Sequence, residues 1–169
     1  MIQKNKTETK ANKEKSENNL IVIIRISGMV KVRQEFNEAL YRLRLRRKYA
    51  CVIIKPNKTN LGMLEKVKHY VAFGEIKKEV LLKLIKERAK SIEGDKREIK
   101  FEGVSSVMTE SAAEKVAEGL ISGKSLADFG LKPFFRLHPP RKGIDSKRPY
   151  PDGVLGKNKE INELVERML

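Results

Sequence analysis

The run Leu20-Ile21-Val22-Ile23-Ile24-Arg25-Ile26 constrains this chain more than any other stretch. Seven residues are too few for a typical helix, and β-branched side chains pack well on a pleated surface. The polar–apolar alternation of a half-buried strand is missing. The run therefore reads as a strand with much of both faces covered.

Ser27-Gly28 ends it, and from Arg33 the period changes. Phe36, Ala39, Leu40 and Leu43 fall at i, i+3, i+4 and i+7, one stripe of a helix. Glu35, Glu38, Arg42 and Arg44 take its other faces. Cys51-Val52-Ile53-Ile54 is a second β-branched run, stopped by Lys55-Pro56-Asn57. Thr59 and Asn60 stand where caps belong for a helix carrying Met63, Leu64, Val67, Tyr70 and Val71. Residues 71–76 form a third, weaker strand, so residues 20–76 read β-α-β-α-β.

Residues 77–131 read as a helical extension. Lys77 to about Lys90 is a helix with Val80, Leu81, Leu84 and Ile85 inward, and residues 91–103 are a polar loop. Ser111 and Glu114 match a capping box before Val116, Ala117, Leu120 and Ile121. Ser125 and Asp128 open a short second helix that Gly130 can close. Residues 132–169 are a basic C-terminal arm with a terminal helix. Phe134 to Leu137 is extended, and the two prolines of His138-Pro139-Pro140-Arg141-Lys142-Gly143 forbid a helix. Glu160 to Leu169 is helical on Ile161, Leu164, Val165 and Met168. Residues 1–19 are Lys, Glu, Asn and Thr with almost nothing apolar, a flexible basic tail that cannot repay the entropy of ordering. It is either an arm ordered on a polyanion or an inert extension. Residues 20–169 are expected to form one compact unit, and no internal repeat is visible.

Charge says what the surface is for. The net charge is +15, from 37 Lys and Arg against 22 acids. The excess is not uniform: residues 20–60 hold ten bases and two acids, and residues 132–169 hold nine and five. A blocky excess marks a surface for a polyanion, most often nucleic acid.

The densest signal is Arg42-Leu43-Arg44-Leu45-Arg46-Arg47-Lys48, five cations at a helix C-terminus and in the turn after it. One or two would complement the helix dipole. Five repel one another unless an anion relieves them, and guanidinium forks pair bidentately with phosphate. The second signal is the Pro/Gly-rich segment from Arg136 to Arg148, with His138, Arg141, Lys142, Lys147 and Arg148. It suits an arm laid along a folded polyanion; the alternative is a solvated loop. A third, weaker one is the loop opening the second helix, with Lys58, Asn60 and Lys66. Gly62 there reads as a space-saving residue. Arg25 and Arg33 join these as further candidate phosphate contacts.

Other classes drop out. One cysteine makes no internal disulfide, and one Cys with two His makes no zinc finger. No apolar run approaches the roughly 20 residues of a membrane-spanning helix, and the first residues carry no signal-peptide core. The expected compartment is cytosolic and reducing. Cys51 reads as a buried small hydrophobe and His69 as a polar residue on a helix face. Neither histidine belongs to a triad-like set, no phosphate or dinucleotide loop motif is present, and Glu163 and Glu166 look like a solvated helix face. No catalytic residue, metal site or cofactor is expected. With aromatics at 6% and no RRM-type stacking motif, contacts to the phosphates, 2′-OH groups and shape of folded RNA fit better than base stacking.

Four stretches also carry a family likeness: residues 23–33, residues 43–53, Gly62 to Val67 with Val71 to Glu75, and Arg136 to Gly143. Together they resemble the ribosomal protein L-thirty family of the large subunit in its archaeal form, related to eukaryotic ribosomal protein L-seven. Leu61 stands where that family commonly has arginine before the Gly-Met pair, and Lys142-Gly143 where members often have two glycines. The resemblance implies an α+β fold, a small antiparallel sheet with two helices on one face plus a helical extension. It implies a non-enzymatic component of the cytoplasmic ribosome. The implied partners are large-subunit ribosomal RNA and neighbouring ribosomal proteins, with no membrane and no small-molecule substrate. The residues alone leave two alternatives: a free-standing RNA or DNA chaperone or regulator, and an RNA-modifying enzyme.

Overall fold

The computed structural model describes residues 20–92, 110–144 and 146–169. The expected tail over residues 1–19 and most of the loop expected over 91–103 lie outside the described residues.

The β-branched runs make the sheet. β1 (Ile21–Arg25), β2 (Ala50–Ile54) and β3 (Val71–Glu75) pair antiparallel with β1 central, Ile24 opposite Cys51 and Ala72. Two short strands extend the edges: β4 (Phe135–Arg136) runs antiparallel to β2, and β5 (Gly156–Lys157) parallel to β3. The order is β4-β2-β1-β3-β5.

Every residue of β1 is buried, because the sheet is covered on both sides. Ile21 and Ile23 join Val52, Val71 and Phe73 under α1 (Gln34–Arg42) and α2 (Lys58–Val67), which contribute Ala39, Leu40, Leu64 and Val67. Val22 and Ile24 point the opposite way, with Cys51 and Ala72. There they meet Val80, Leu81, Leu84 and Ile85 of α3 (Lys78–Arg88), Val116, Ala117 and Leu120 of α4 (Glu110–Ser122), and Ile161, Leu164, Val165 and Met168 of α5 (Ile161–Met168). The period of two in the strands thus divides one apolar run between two cores. The architecture is α+β: two helices lie on one face, and the extension and terminal helix close the other.

Several local expectations change. α2 begins at Lys58 with Asn57 as its N-cap, not at Thr59 or Asn60. Asn60 instead donates its amide to the Lys55 carbonyl at 3.0 Å, closing the loop that Pro56 turns. The helix ends at Val67, so Tyr70 lies in the following turn with its ring 5.5 Å from Phe36, and Val71 opens β3. His69 is exposed in the same turn, off the helix. Ser111 lies inside α4, and a residue already in the helix is not its N-cap. Ser125 and Asp128 do form the expected capping box, around a 3-10 turn at Leu126–Phe129 that Gly130 closes at φ 68°.

The arm is held by the protein's own terminal helix. His138 N–H donates to Met168 O and Arg141 N–H to Arg167 O, at 3.0 and 2.9 Å. These carbonyls have no partner within α5, since a helix leaves its last carbonyls free. Arg167 returns the contact, its guanidinium donating to the Arg141 and Gly143 carbonyls.

Candidate nucleic-acid interface

Where α1 stops, the chain must turn back into β2. Leu43 and Leu45 are buried and anchor the turn, while Arg42, Arg44, Arg46, Arg47 and Lys48 alternate with them or follow them into solvent. Arg44 and Tyr49 both adopt left-handed backbone, φ 61° and 63°. Non-glycine residues meet steric resistance there, so such positions persist only where their surroundings hold them.

Arg25 supplies much of that hold. Its side chain is fully buried at the end of β1. The guanidinium donates to Leu45 O at 2.7 Å, Arg46 O at 3.4 Å, Gly28 O at 2.8 Å and, through Nε, Ser27 O at 3.1 Å. The Arg25 carbonyl accepts from Tyr49 N–H at 2.7 Å. Burial draws the guanidinium below its ordinary pKa, yet the carbonyls of two loops converge on its donors. The direct phosphate contact expected of Arg25 is therefore corrected: the side chain is withdrawn from the surface and braces the loop that carries the other cations.

β4 completes the site. Ala50 pairs with Arg136, which brings residues 133–137 against the α1–β2 loop. Between them opens a cleft of about 670 Å³, lined by Arg44, Arg46, Arg47, Lys48 and Arg136 with Tyr49, Ala50, Pro133, Phe134 and Leu137. No acid lines it. Arg46 lies over the Tyr41 ring at 4.7 Å and Lys48 over the Tyr49 ring at 4.6 Å, so aromatic faces orient these cations. The ion pairs Lys68–Glu65 and Lys83–Glu166 both lie outside the cleft.

Arg42 lies on the other side of Arg44, in a second hollow shared with Lys55, Asn57, Asn60 and Lys124. Lys58 and Lys66 are exposed on α2, and Arg33 is exposed at the N-cap of α1. Gly62 saves no space: a Cβ there would meet nothing within 4 Å. The arm is divided. His138, Arg141 and Lys142 are exposed between β4 and the end of α5. Lys147 and Arg148 are exposed near β5, on the opposite edge of the sheet.

Arg136, Lys55, Lys124 and Phe134 are the residues that sequence reasoning missed as partners of the first cationic turn. Their proximity follows from β4 pairing with β2 and from the packing of the extension, which local pattern does not encode. Among the described residues, no group of His, Cys, Asp and Glu is placed to hold a metal, and no helix is long and apolar enough to cross a membrane.

A family model described as Ribosomal protein L30p/L7e matches residues 21–71, from β1 to the first residue of β3. Large ribosomal subunit protein uL30 of Archaeoglobus fulgidus is 42% identical over 154 residues, covering 88% of this chain and 99% of the relative. The protein of the same name from Desulfurococcus amylolyticus is 41% identical over 161 residues, 89% and 98% of the two chains. That from Methanococcus maripaludis is 39% identical over 153 residues, 87% and 97%. The chain belongs to the uL30 family of large ribosomal subunit proteins.

Proposed function

We infer that this chain is a structural, non-catalytic component of the large ribosomal subunit, held there by ribosomal RNA and neighbouring ribosomal proteins. The observation that carries the RNA contact is the cationic cleft, which no described acid lines. Five cations stand on a braced turn and an adjoining strand, where no carboxylate among the described residues offsets them. Such a surface gains binding free energy by releasing the counterions condensed on a polyanion. Arg44, Arg46, Arg47, Lys48 and Arg136 form the principal phosphate-binding surface, and Arg42 with Asn60 continues it toward α2. His138, Arg141 and Lys142 extend the exposed basic surface along the arm. Arg33, Lys58, Lys66, Lys147 and Arg148 supply more peripheral positive charge.

The test is sedimentation of a cell lysate through a sucrose gradient at high salt, with the chain followed by mass spectrometry. Stoichiometric presence in the large-subunit peak is expected. Release into the light fractions would instead identify a loosely bound chaperone or regulator.

A further inference from the structure

We propose that the cleft between the α1–β2 loop and β4 captures one unpaired RNA nucleotide, its base against Phe134 and Tyr49 and its phosphates on the surrounding cations. This rests on the reading that the chain binds RNA, and it adds what part of that RNA the cleft takes.

Charge neutralisation alone calls for something different. The phosphates of an A-form duplex lie on its outside, where a flat or gently curved basic patch reaches them. Here the cations surround a concavity of about 670 Å³, within the range of small-molecule sites and ample for a single nucleotide. Its lining also includes Tyr49, Ala50, Pro133, Phe134 and Leu137. Apolar wall inside a cationic rim is the combination that holds a base and its phosphate together, because every base presents a π-face to stack.

The cleft is also built before anything enters it. Arg44 and Tyr49 are held in left-handed backbone at its two ends, and backbone strain of this kind gathers at ligand clamps. Arg25 fixes the intervening carbonyls from beneath. Arg46 and Lys48 are already oriented by aromatic rings. Phe134 touches the core beneath α1 and α2 as well as the cleft, which limits its rotation.

Two RNA hairpins test this by fluorescence titration: one with a single bulged 2-aminopurine, the other fully paired and end-labelled. The wild-type chain should bind the bulged hairpin more tightly and quench its 2-aminopurine. Phe134→Leu should weaken binding to the bulged hairpin by about 5- to 150-fold, the scale of one base–aromatic stack. Its binding to the paired hairpin should change less than about 2-fold, since the cations remain, and Phe134→Tyr should restore the preference. Equal weakening on both hairpins, no weakening on either, or an unquenched fluorophore overturns the nucleotide site but leaves RNA binding standing. If the wild-type chain binds neither hairpin, RNA binding falls with it.

A second measurement needs no variant. In an amide NMR titration, adenosine monophosphate should shift the resonances of Tyr49, Phe134 and Leu137, whereas inorganic phosphate should shift chiefly Arg46, Arg47 and Lys48. Identical shifts from the two probes would reduce the cleft to a phosphate site and overturn the proposal.

Discussion

The guanidinium of Arg25 donates to the backbone carbonyl of Leu45 at 2.7 Å, twenty residues along the chain and inside the protein. Because it also reaches Ser27 and Gly28, one side chain ties the loop after β1 to the loop after α1. Arg25→Met keeps much of the apolar stem and removes every donor, leaving buried carbonyls unpaired. A loss of about 2–4 kcal/mol in urea denaturation is expected. RNA affinity should fall with it, because Arg44 to Lys48 lose their frame, while the salt dependence keeps its slope because no exposed cation is removed. An unchanged unfolding midpoint would show that the brace does not hold the loop, and a shallower slope would return Arg25 to direct contact.

Charge reversal on the rim has the opposite signature. Arg46 and Arg47 are exposed, and neither has an ion-pair partner among the described residues. The double variant Arg46→Glu/Arg47→Glu should leave the thermal unfolding midpoint nearly unchanged. The slope of log K against log salt should become shallower by about 1.4–1.8, or 0.7–0.9 for each phosphate no longer neutralised. Titration of a large-subunit RNA fragment across salt concentrations reads this directly. An unaltered slope would remove the cleft rim from the RNA-binding surface.

These two residue classes differ in how far the chain announces them. Arg46 and Arg47 stand in a run of five cations that no helix dipole requires, so their role is legible in one dimension. Arg25 is one base in an apolar strand, and whether it faces an RNA or a ring of carbonyls depends on where residues 45 and 46 return in space. The same limit applies to Arg136 and Lys124, which reach the cationic turn only through sheet pairing and helix packing. The three central strands and the helix stripes are legible because burial on two faces or one leaves a periodic record. The arm is the opposite case. Its prolines and bases suggest a segment waiting for a polyanion, yet its partners are backbone carbonyls at the end of α5, and carbonyls are the same in every sequence.

Cys51 tests the depth of the sheet. It is fully buried in β2, and desolvation pushes its thiol pKa far above the ordinary value. Because the folded pKa is raised, the stabilisation from keeping the thiol neutral is complete below the ordinary thiol pKa and is lost as pH rises above it. Stability should therefore fall above about pH 8.5, by up to roughly 1.4 kcal/mol per pH unit from this group. The comparison with Cys51→Val isolates that slope from other titrations. Iodoacetamide at about pH 8, just below the ordinary thiol pKa, should leave the native thiol intact and modify it in denaturant. Rapid native labelling would contradict the burial.

Two glycines should respond to alanine with opposite signs. Gly74 in β3 faces the start of α5: a Cβ there would collide with the Asn158 carbonyl oxygen and come within 2.9 Å of Ile161 Cγ2. Asn158 N–H is already bonded to Phe73 O at 2.8 Å, so that backbone cannot retreat without losing its hydrogen bond. Gly74→Ala should cost about 1–3 kcal/mol, the usual penalty for overpacking. Gly62, exposed within α2, has open space where its Cβ would stand. Gly62→Ala should stabilise the protein by about 0.5–1 kcal/mol through helix propensity alone. Urea denaturation of the two variants beside the wild type measures both. A stabilising Gly74→Ala would mean that α5 does not press on the sheet as closely as the structure places it, and a destabilising Gly62→Ala would mean that something in the protein already occupies the space above that turn.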